Sequence, residues 1–270
     1  MENVIEIKNV SRSFDKVKAV DNLSLNIPKN GVFAILGPNG AGKTTLINML
    51  ATLLKPNEGT LKVFGYDVVK EAEKVRELIG LTGQYASVDE ALTARQNLVI
   101  FGQLLGLKKK EARNRANELL EEFHLKDSAD KPISKFSGGM RRRLDLAVSL
   151  IAHPKLIFLD EPTTGLDPRT RNQMWDTIRN LVKEGSTVLL TTQYLEEADQ
   201  LADRIVIIDK GRVVAEGTAE GLKKTHKAKN LDDVFLKITG DGTSGAKQEE
   251  MIALVHDVEV EEYEKIHKNN

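Results

Sequence analysis

Eight consecutive residues, Gly37-Pro38-Asn39-Gly40-Ala41-Gly42-Lys43-Thr44, fill every fixed position of the phosphate-cradling pattern G-x-x-x-x-G-K-[ST]. They follow an apolar run, Val32 to Leu36, and lead into a helical pattern from Thr44 to Leu54. In that context the three glycines let successive backbone N–H groups turn inward, while the helix aims the positive end of its dipole at the same point. Such a point suits a polyphosphate. Lys43 is placed to reach the β- and γ-phosphates, and the Thr44 hydroxyl to be a ligand of Mg²⁺. A second group lies far along the chain, where the apolar strand Leu156 to Leu159 ends in Asp160 and Glu161. Strand ends are where α/β sheets bind ligands, so Asp160 suits a metal ion and Glu161 suits orienting and deprotonating an attacking water.

Five further positions join these. Ser137-Gly138-Gly139 opens a helix whose apolar residues recur at Met140, Leu144, Ala147, Val148 and Ile151, and a capped helix start with bare glycines is a second anion site. One phosphate loop and one separate anion cap suggest that the two meet across a dimer. Phe14 falls in Ser13-Phe14-Asp15, expected to be a loop between two strands; its ring can stack on a purine, worth about 1–3 kcal/mol, or belong to a small core cluster. Gln84 follows a strand and is informative only in combination, and Gln193 follows the buried strand Thr187 to Thr191. Asp167-Pro168 caps a helix that runs to about Lys183 and stops before Gly185.

The elements that must position these groups are legible in outline. Ile5 and Ile7, then Leu23, Leu25 and Ile27, alternate with polar residues, which predicts two half-buried antiparallel strands ahead of a parallel sheet. A helix is expected over Lys70 to Leu78 and a strand from Ile79. From Asp89 to about Ile151 apolar residues recur only at helical spacing, which reads as a helical insertion in an α/β protein. Within it Lys108-Lys109-Lys110, Arg113 and Arg115 form a basic cluster, either a solvated helix face or a contact for acidic lipid head groups. Arg204 to Asp209 and Arg212 to Glu216 read as a terminal hairpin, Lys223 to Lys227 as a polar basic stretch, and Leu231 to Ile238 as a short helix.

Composition narrows the function. The 270 residues, 40% hydrophobic and 29% charged, bury one substantial core with a small satellite. A net charge of −1 gives no general electrostatic case for nucleic acid, so no nucleic-acid partner is expected. The absence of cysteine excludes disulfides, thiolate metal sites and a cysteine nucleophile. The first residues lack a basic segment followed by an apolar one, and no apolar run spans a bilayer, so any membrane connection is expected to come through a partner.

Over roughly Val4 to Gly217 these residues resemble the nucleotide-binding subunit of an ATP-binding-cassette (ABC) transporter. Gly37 to Thr44 matches the family's Walker A loop, Gln84 its Q-loop, Ser137-Gly138-Gly139 its signature, Leu156 to Asp160 its Walker B strand, Glu161 its catalytic glutamate and Gly165-Leu166-Asp167 its D-loop. Two departures stand out: the signature reads Phe136-Ser137-Gly138-Gly139-Met140 where most relatives begin with Leu and end with Gln, and Gln193 replaces the usual switch histidine. Both, with the segments 81–89, 191–198 and 231–236, resemble the daunorubicin-resistance-type subfamily of multidrug exporters.

The resemblance implies an α/β P-loop NTPase of ABC type, with a mixed sheet core, an N-terminal antiparallel β subdomain and an inserted helical subdomain. The nucleotide-binding domain is expected over 1–217, its helical subdomain over about 89–151, a C-terminal extension over 218–240, and a linker with an acidic tail of unassigned role over 241–270. It implies ATP and Mg²⁺ as ligands. Phe14, Gly37 to Thr44, Thr45, Ser137, Gly138, Gly139 and Asp167 would contact nucleotide; Thr44, Gln84 and Asp160 would serve the metal; Glu161, Gln193 and Gln84 would serve catalysis. It further implies a homodimer with two ATP at its interface, a polytopic membrane permease as partner, and a place on the cytoplasmic face of the cell membrane. The rival is a soluble ABC ATPase acting on ribosomes or DNA; the paired cassettes or long coiled-coil insertions usual there are absent from the sequence.

Overall fold

The computed structural model describes residues 2–82 and 88–240, so Gln84 and the expected linker and tail over 241–270 lie outside the described residues. The chain opens with β1 (Asn3–Phe14), β2 (Val17–Pro28), β3 (Gly31–Leu36), α1 (Lys43–Leu50), β4 (Glu58–Val63), β5 (Tyr66–Asp67) and α2 (Ala72–Arg76). It continues with β6 (Ile79–Thr82), α3 (Ala94–Leu104), α4 (Lys109–Glu122), α5 (Gly138–Ser149), β7 (Leu156–Asp160), α6 (Pro168–Lys183) and β8 (Thr187–Thr192). It closes with α7 (Leu195–Leu201), β9 (Arg204–Asp209), β10 (Arg212–Gly217), α8 (Ala219–Thr225) and α9 (Leu231–Thr239). Two compact units result, one of residues 2–77 with 189–240 and the other Leu78–Val188.

In the first unit the alternating residues do what their period dictates. Leu23, Leu25 and Ile27 are buried while Ser24 and Asn26 face solvent, and β1 pairs antiparallel with β2 on one edge and β4 on the other. β3 is buried along its whole length and pairs in parallel with β9, which pairs antiparallel with β10. The sheet here is therefore mixed, beside a purely antiparallel one. Three expectations are corrected. Phe14 is the last residue of β1 rather than a loop residue, because its register partner Val17 closes the β1–β2 hairpin immediately after it. α1 stops at Leu50, short of Leu54, because Thr52 takes a left-handed φ of 65°. The stretch read as polar and basic, 223–227, begins inside the last turn of α8, a helix started by Thr218, whose hydroxyl accepts the Gly221 N–H at 3.0 Å.

In the second unit β6 and β7 pair in parallel, Leu81 opposite Phe158, and α3, α4 and α5 fill the expected helical stretch. Their apolar faces supply a core of Ala94, Leu98, Ala116, Leu119, Phe123, Leu144 and Ala147. Lys108, Lys109, Lys110 and Arg113 are exposed, whereas Arg115 pairs with Glu118 at 3.2 Å. Among the described residues, no helix is long and apolar enough to cross a membrane.

Candidate functional site

The phosphate loop belongs to the first unit and is built almost wholly from backbone. Gly42 is the cap position of α1, with φ 99° and no side chain to bond the first turn. A Cβ there would sit 2.2 Å from the Ala19 carbonyl oxygen, and one at Gly37 would sit 2.3 Å from the Ile208 carbonyl oxygen. Both positions accept only glycine. The Ala41 N–H donates to the Pro38 carbonyl at 3.1 Å, closing the tight turn, and the Gly211 N–H of the β9–β10 turn donates to the Ala41 carbonyl at 3.0 Å. The hairpin thus braces the loop from behind. The α1 geometry directs its first-turn N–H groups, those of Lys43, Thr44 and Thr45, toward the concavity of the loop. Lys43 is 6% exposed, and its ammonium donates to the Gly37 carbonyl at 2.9 Å and the Pro38 carbonyl at 3.1 Å. A buried cation held over a glycine turn at a helix N-terminus has the chemistry of a phosphate receptor.

Two other expected residues also lie in this unit. Phe14 is 2% exposed, with the Arg12 guanidinium 4.7 Å above its ring centroid, and Arg12 itself donates to the Lys55 carbonyl at 3.1 Å. The ring is packed as core beneath that guanidinium. Gln193 is exposed at the end of β8, where the Tyr194 N–H donates to the Thr192 hydroxyl at 3.0 Å.

The second unit carries the acids and the second helix cap. Asp160 ends β7 at 4% exposure, and Glu161 follows with a φ of 47°, a left-handed conformation uncommon outside glycine. The Thr164 hydroxyl donates to Glu161 Oε2 at 3.2 Å. Asp167 caps α6: its Oδ1 accepts the Arg169 and Thr170 N–H groups at 3.0 Å each, and its Oδ2 accepts the Thr170 hydroxyl at 2.6 Å. The Thr170 bonds, the hydroxyl foremost, hold the Asp167 carboxyl below its usual pKa. Ser137 is exposed and caps α5, its hydroxyl accepting the Met140 N–H at 3.3 Å. A Cβ on Gly138 would meet nothing within 4 Å, while one on Gly139 would approach Thr170 Cγ2 to 3.2 Å. Ser137-Gly138-Gly139 and Asp167 are therefore neighbours through Thr170.

Sequence reasoning passed over two residues here. Successive side chains on α5 point about 100° apart, and the three arginines diverge accordingly. Arg141 reaches Glu90 at 2.7 Å, Arg143 reaches the Phe123 carbonyl at 3.1 Å, and Arg142 reaches the carbonyls at the end of β7. One helical turn on, burial raises the Asp145 carboxyl to about 6, against the pull of Arg142 and Arg141, and its Oδ1 has no hydrogen-bond partner among the described residues. The only signal for either was a run of three arginines shortly after a cap.

The sequence profile of the ABC transporter family matches residues 20–164. The chain belongs to that family. It is 58% identical over 221 residues to the daunorubicin/doxorubicin resistance ATP-binding protein DrrA of Streptomyces peucetius, covering 82% of this chain and 67% of that protein. It is 44% identical over 218 residues to the Nod factor export ATP-binding protein I of Sinorhizobium fredii, covering 81% and 64%. Among solved structures it resembles the ATP-binding cassette MJ0796 in a dimeric post-hydrolysis state bound to ADP and Pi, with a TM-score of 0.72, 28% identity, and coverage of 79% of this chain and 98% of that one. The chain is thus an ATP-binding and ATP-hydrolysing cassette of ABC type, with the α/β fold that its motifs implied.

Proposed function

We propose that this cassette drives a membrane exporter of drugs or other amphipathic compounds. The observation that carries the reading is the phosphate loop itself: a buried Lys43 over a turn that only glycines can make, leading into an uncapped helix. Gly37 to Thr45 would hold the triphosphate, and Thr44 and Asp160, with Gln84, would hold Mg²⁺. The ion, when bound, neutralises charge building on the phosphate oxygens. Glu161 takes the proton of the attacking water, with its carboxylate turned by Thr164. Gln193 donates its amide to a γ-phosphate oxygen and cannot titrate, so the proton work rests on Glu161.

Two copies face each other head to tail, so that Ser137, Gly138, Gly139 and Asp167 of one meet the ATP bound by the other. ATP then joins the pair, and hydrolysis loosens it. The motion passes through the helical subdomain, residues 89–151 of a 1–217 nucleotide-binding domain, to a polytopic permease on the cytoplasmic face of the membrane; 218–240 extends that domain. Export and cargo class rest on the likeness to the daunorubicin resistance and Nod factor export proteins. Those two names differ in cargo at substantial identity, which fits a cargo contacted by the permease.

The test is affinity capture of the full chain from detergent-solubilised native membranes, with ATPase activity followed in the complex. A polytopic membrane protein recovered at about one copy per cassette is the expected result. Recovery only from the soluble fraction, attached to ribosomes, DNA or nothing, would overturn the transporter reading.

A further inference from the structure

The guanidinium of Arg142 gathers three consecutive backbone carbonyls: Nη2 donates to Asp160 at 2.6 Å and to Glu161 at 2.9 Å, and Nε donates to Pro162 at 3.1 Å. Three successive carbonyls cannot converge on one group from an extended strand. They do so here because the chain reverses at Glu161, whose φ of 47° is the left-handed conformation that an L residue adopts only when its surroundings impose it. The reversal also brings Thr164 back on Glu161, its hydroxyl donating to Oε2 at 3.2 Å and its N–H to the Glu161 carbonyl at 3.3 Å. Arg142 and Thr164 thus share the Glu161 carbonyl, and Thr164 also holds the carboxylate.

Arg142 stands on α5 one turn past Ser137, on the helix whose Gly139 lies against Thr170, the partner of Asp167. The helix that begins with the second anion cap is therefore fastened, through one side chain, to the turn that presents the acid.

We propose that Arg142 is a positioning residue for hydrolysis: it holds the Asp160–Pro162 turn so that Glu161 points at the attacking water, and it ties that aim to the setting of α5. This rests on Glu161 being the general base. Arg142 touches no reacting atom, so its loss acts on turnover and leaves ATP binding by the phosphate loop in place. A lysine offers one ammonium on a flexible stem where the planar fork serves three oxygens, and it restores only part of the effect.

Full-length wild type, Arg142→Met, Arg142→Lys, Glu161→Gln and the Glu161→Gln/Arg142→Met double variant would be compared for ATP affinity, melting temperature and single-turnover hydrolysis of MgATP. Arg142→Met is expected to slow hydrolysis at least about tenfold with ATP affinity within about twofold of wild type, and Arg142→Lys to fall between. In the Glu161→Gln background the same substitution is expected to cost nothing further, since the group it aims is gone. Wild-type turnover in both Arg142 variants would overturn the proposal, as would a loss of equal size in the two backgrounds, the mark of a purely structural role. Should Arg142→Met not fold, Arg142→Lys in both backgrounds decides on the same criterion. A Glu161→Gln protein that hydrolyses at the wild-type rate would instead remove the general base, and the Arg142 role with it.

Discussion

At the start of α1 the cap position is Gly42, left-handed and without a side chain; at the start of α5 it is Ser137, whose hydroxyl already serves the Met140 N–H at 3.3 Å. The first is boxed in, with the Ala19 carbonyl against Gly42, the Ile208 carbonyl against Gly37, and the hairpin N–H of Gly211 on Ala41. The second is open, with Ser137 and Gly138 exposed and nothing within 4 Å of a Cβ on Gly138. Both are helix N-termini suited to an anion, yet one is a receptor shaped from behind and the other a surface that a ligand must be brought to. That difference matches the roles proposed for them, gripping the cassette's own ATP and meeting its partner's.

The largest effect should come from Gly42→Ala, which puts a methyl into the Ala19 carbonyl at a φ of 99°. Left-handed strain alone costs about 1–2 kcal/mol, and the clash adds to it. A nucleotide-binding titration is expected to show ATP affinity lowered by more than about tenfold, and near-normal affinity would mean that the loop is softer than its contacts imply. Gly138→Ala sharpens the contrast. As an open position at a helix start it should raise stability by up to about 1 kcal/mol and leave ATP affinity of the single chain unchanged. A fall in melting temperature there would break the comparison.

Phe14→Ala tests how the first region is packed. Removing a buried phenylalanine costs about 3–5 kcal/mol, so denaturant unfolding should show a large loss while the folded protein keeps its ATP affinity within about threefold. Weak ATP binding with unchanged stability would instead favour the base-stacking role expected of Phe14.

The smallest effect belongs to the second region and depends on pH. Burial raises the Asp145 carboxyl from 3.8 to about 6, so the folded state holds that proton more tightly than the unfolded one. The stability it contributes is present below about 3.8 and is lost as pH rises toward about 6. Asp145→Asn carries no such loss and should melt above wild type at pH 7, the gap closing near pH 4. The reverse order at pH 7 would mean that attraction to Arg141 and Arg142 outweighs burial.

What the sequence disclosed follows the same division. Where local chemistry dictates structure, the reading went far: the Asp167 cap with Pro168 gave α6 its start, Gly185 its end, and the glycine pattern the phosphate loop. Where tertiary contacts decide, it stopped short. Nothing local says that Phe14 continues β1 and is covered by Arg12, since both depend on the pairing of β1 with β2 and on the packing beneath it. Arg142 was hidden for a like reason, because its acceptors are backbone carbonyls that carry no residue type, and the three arginines look alike until the helix turns them apart.

The most direct test of the account is hydrolysis of MgATP by full-length Glu161→Gln beside wild type, with ATP binding measured on the same preparations. The account predicts wild-type affinity and hydrolysis at least about a hundredfold slower, the loss expected of a positioned general base. Hydrolysis at the wild-type rate would contradict it.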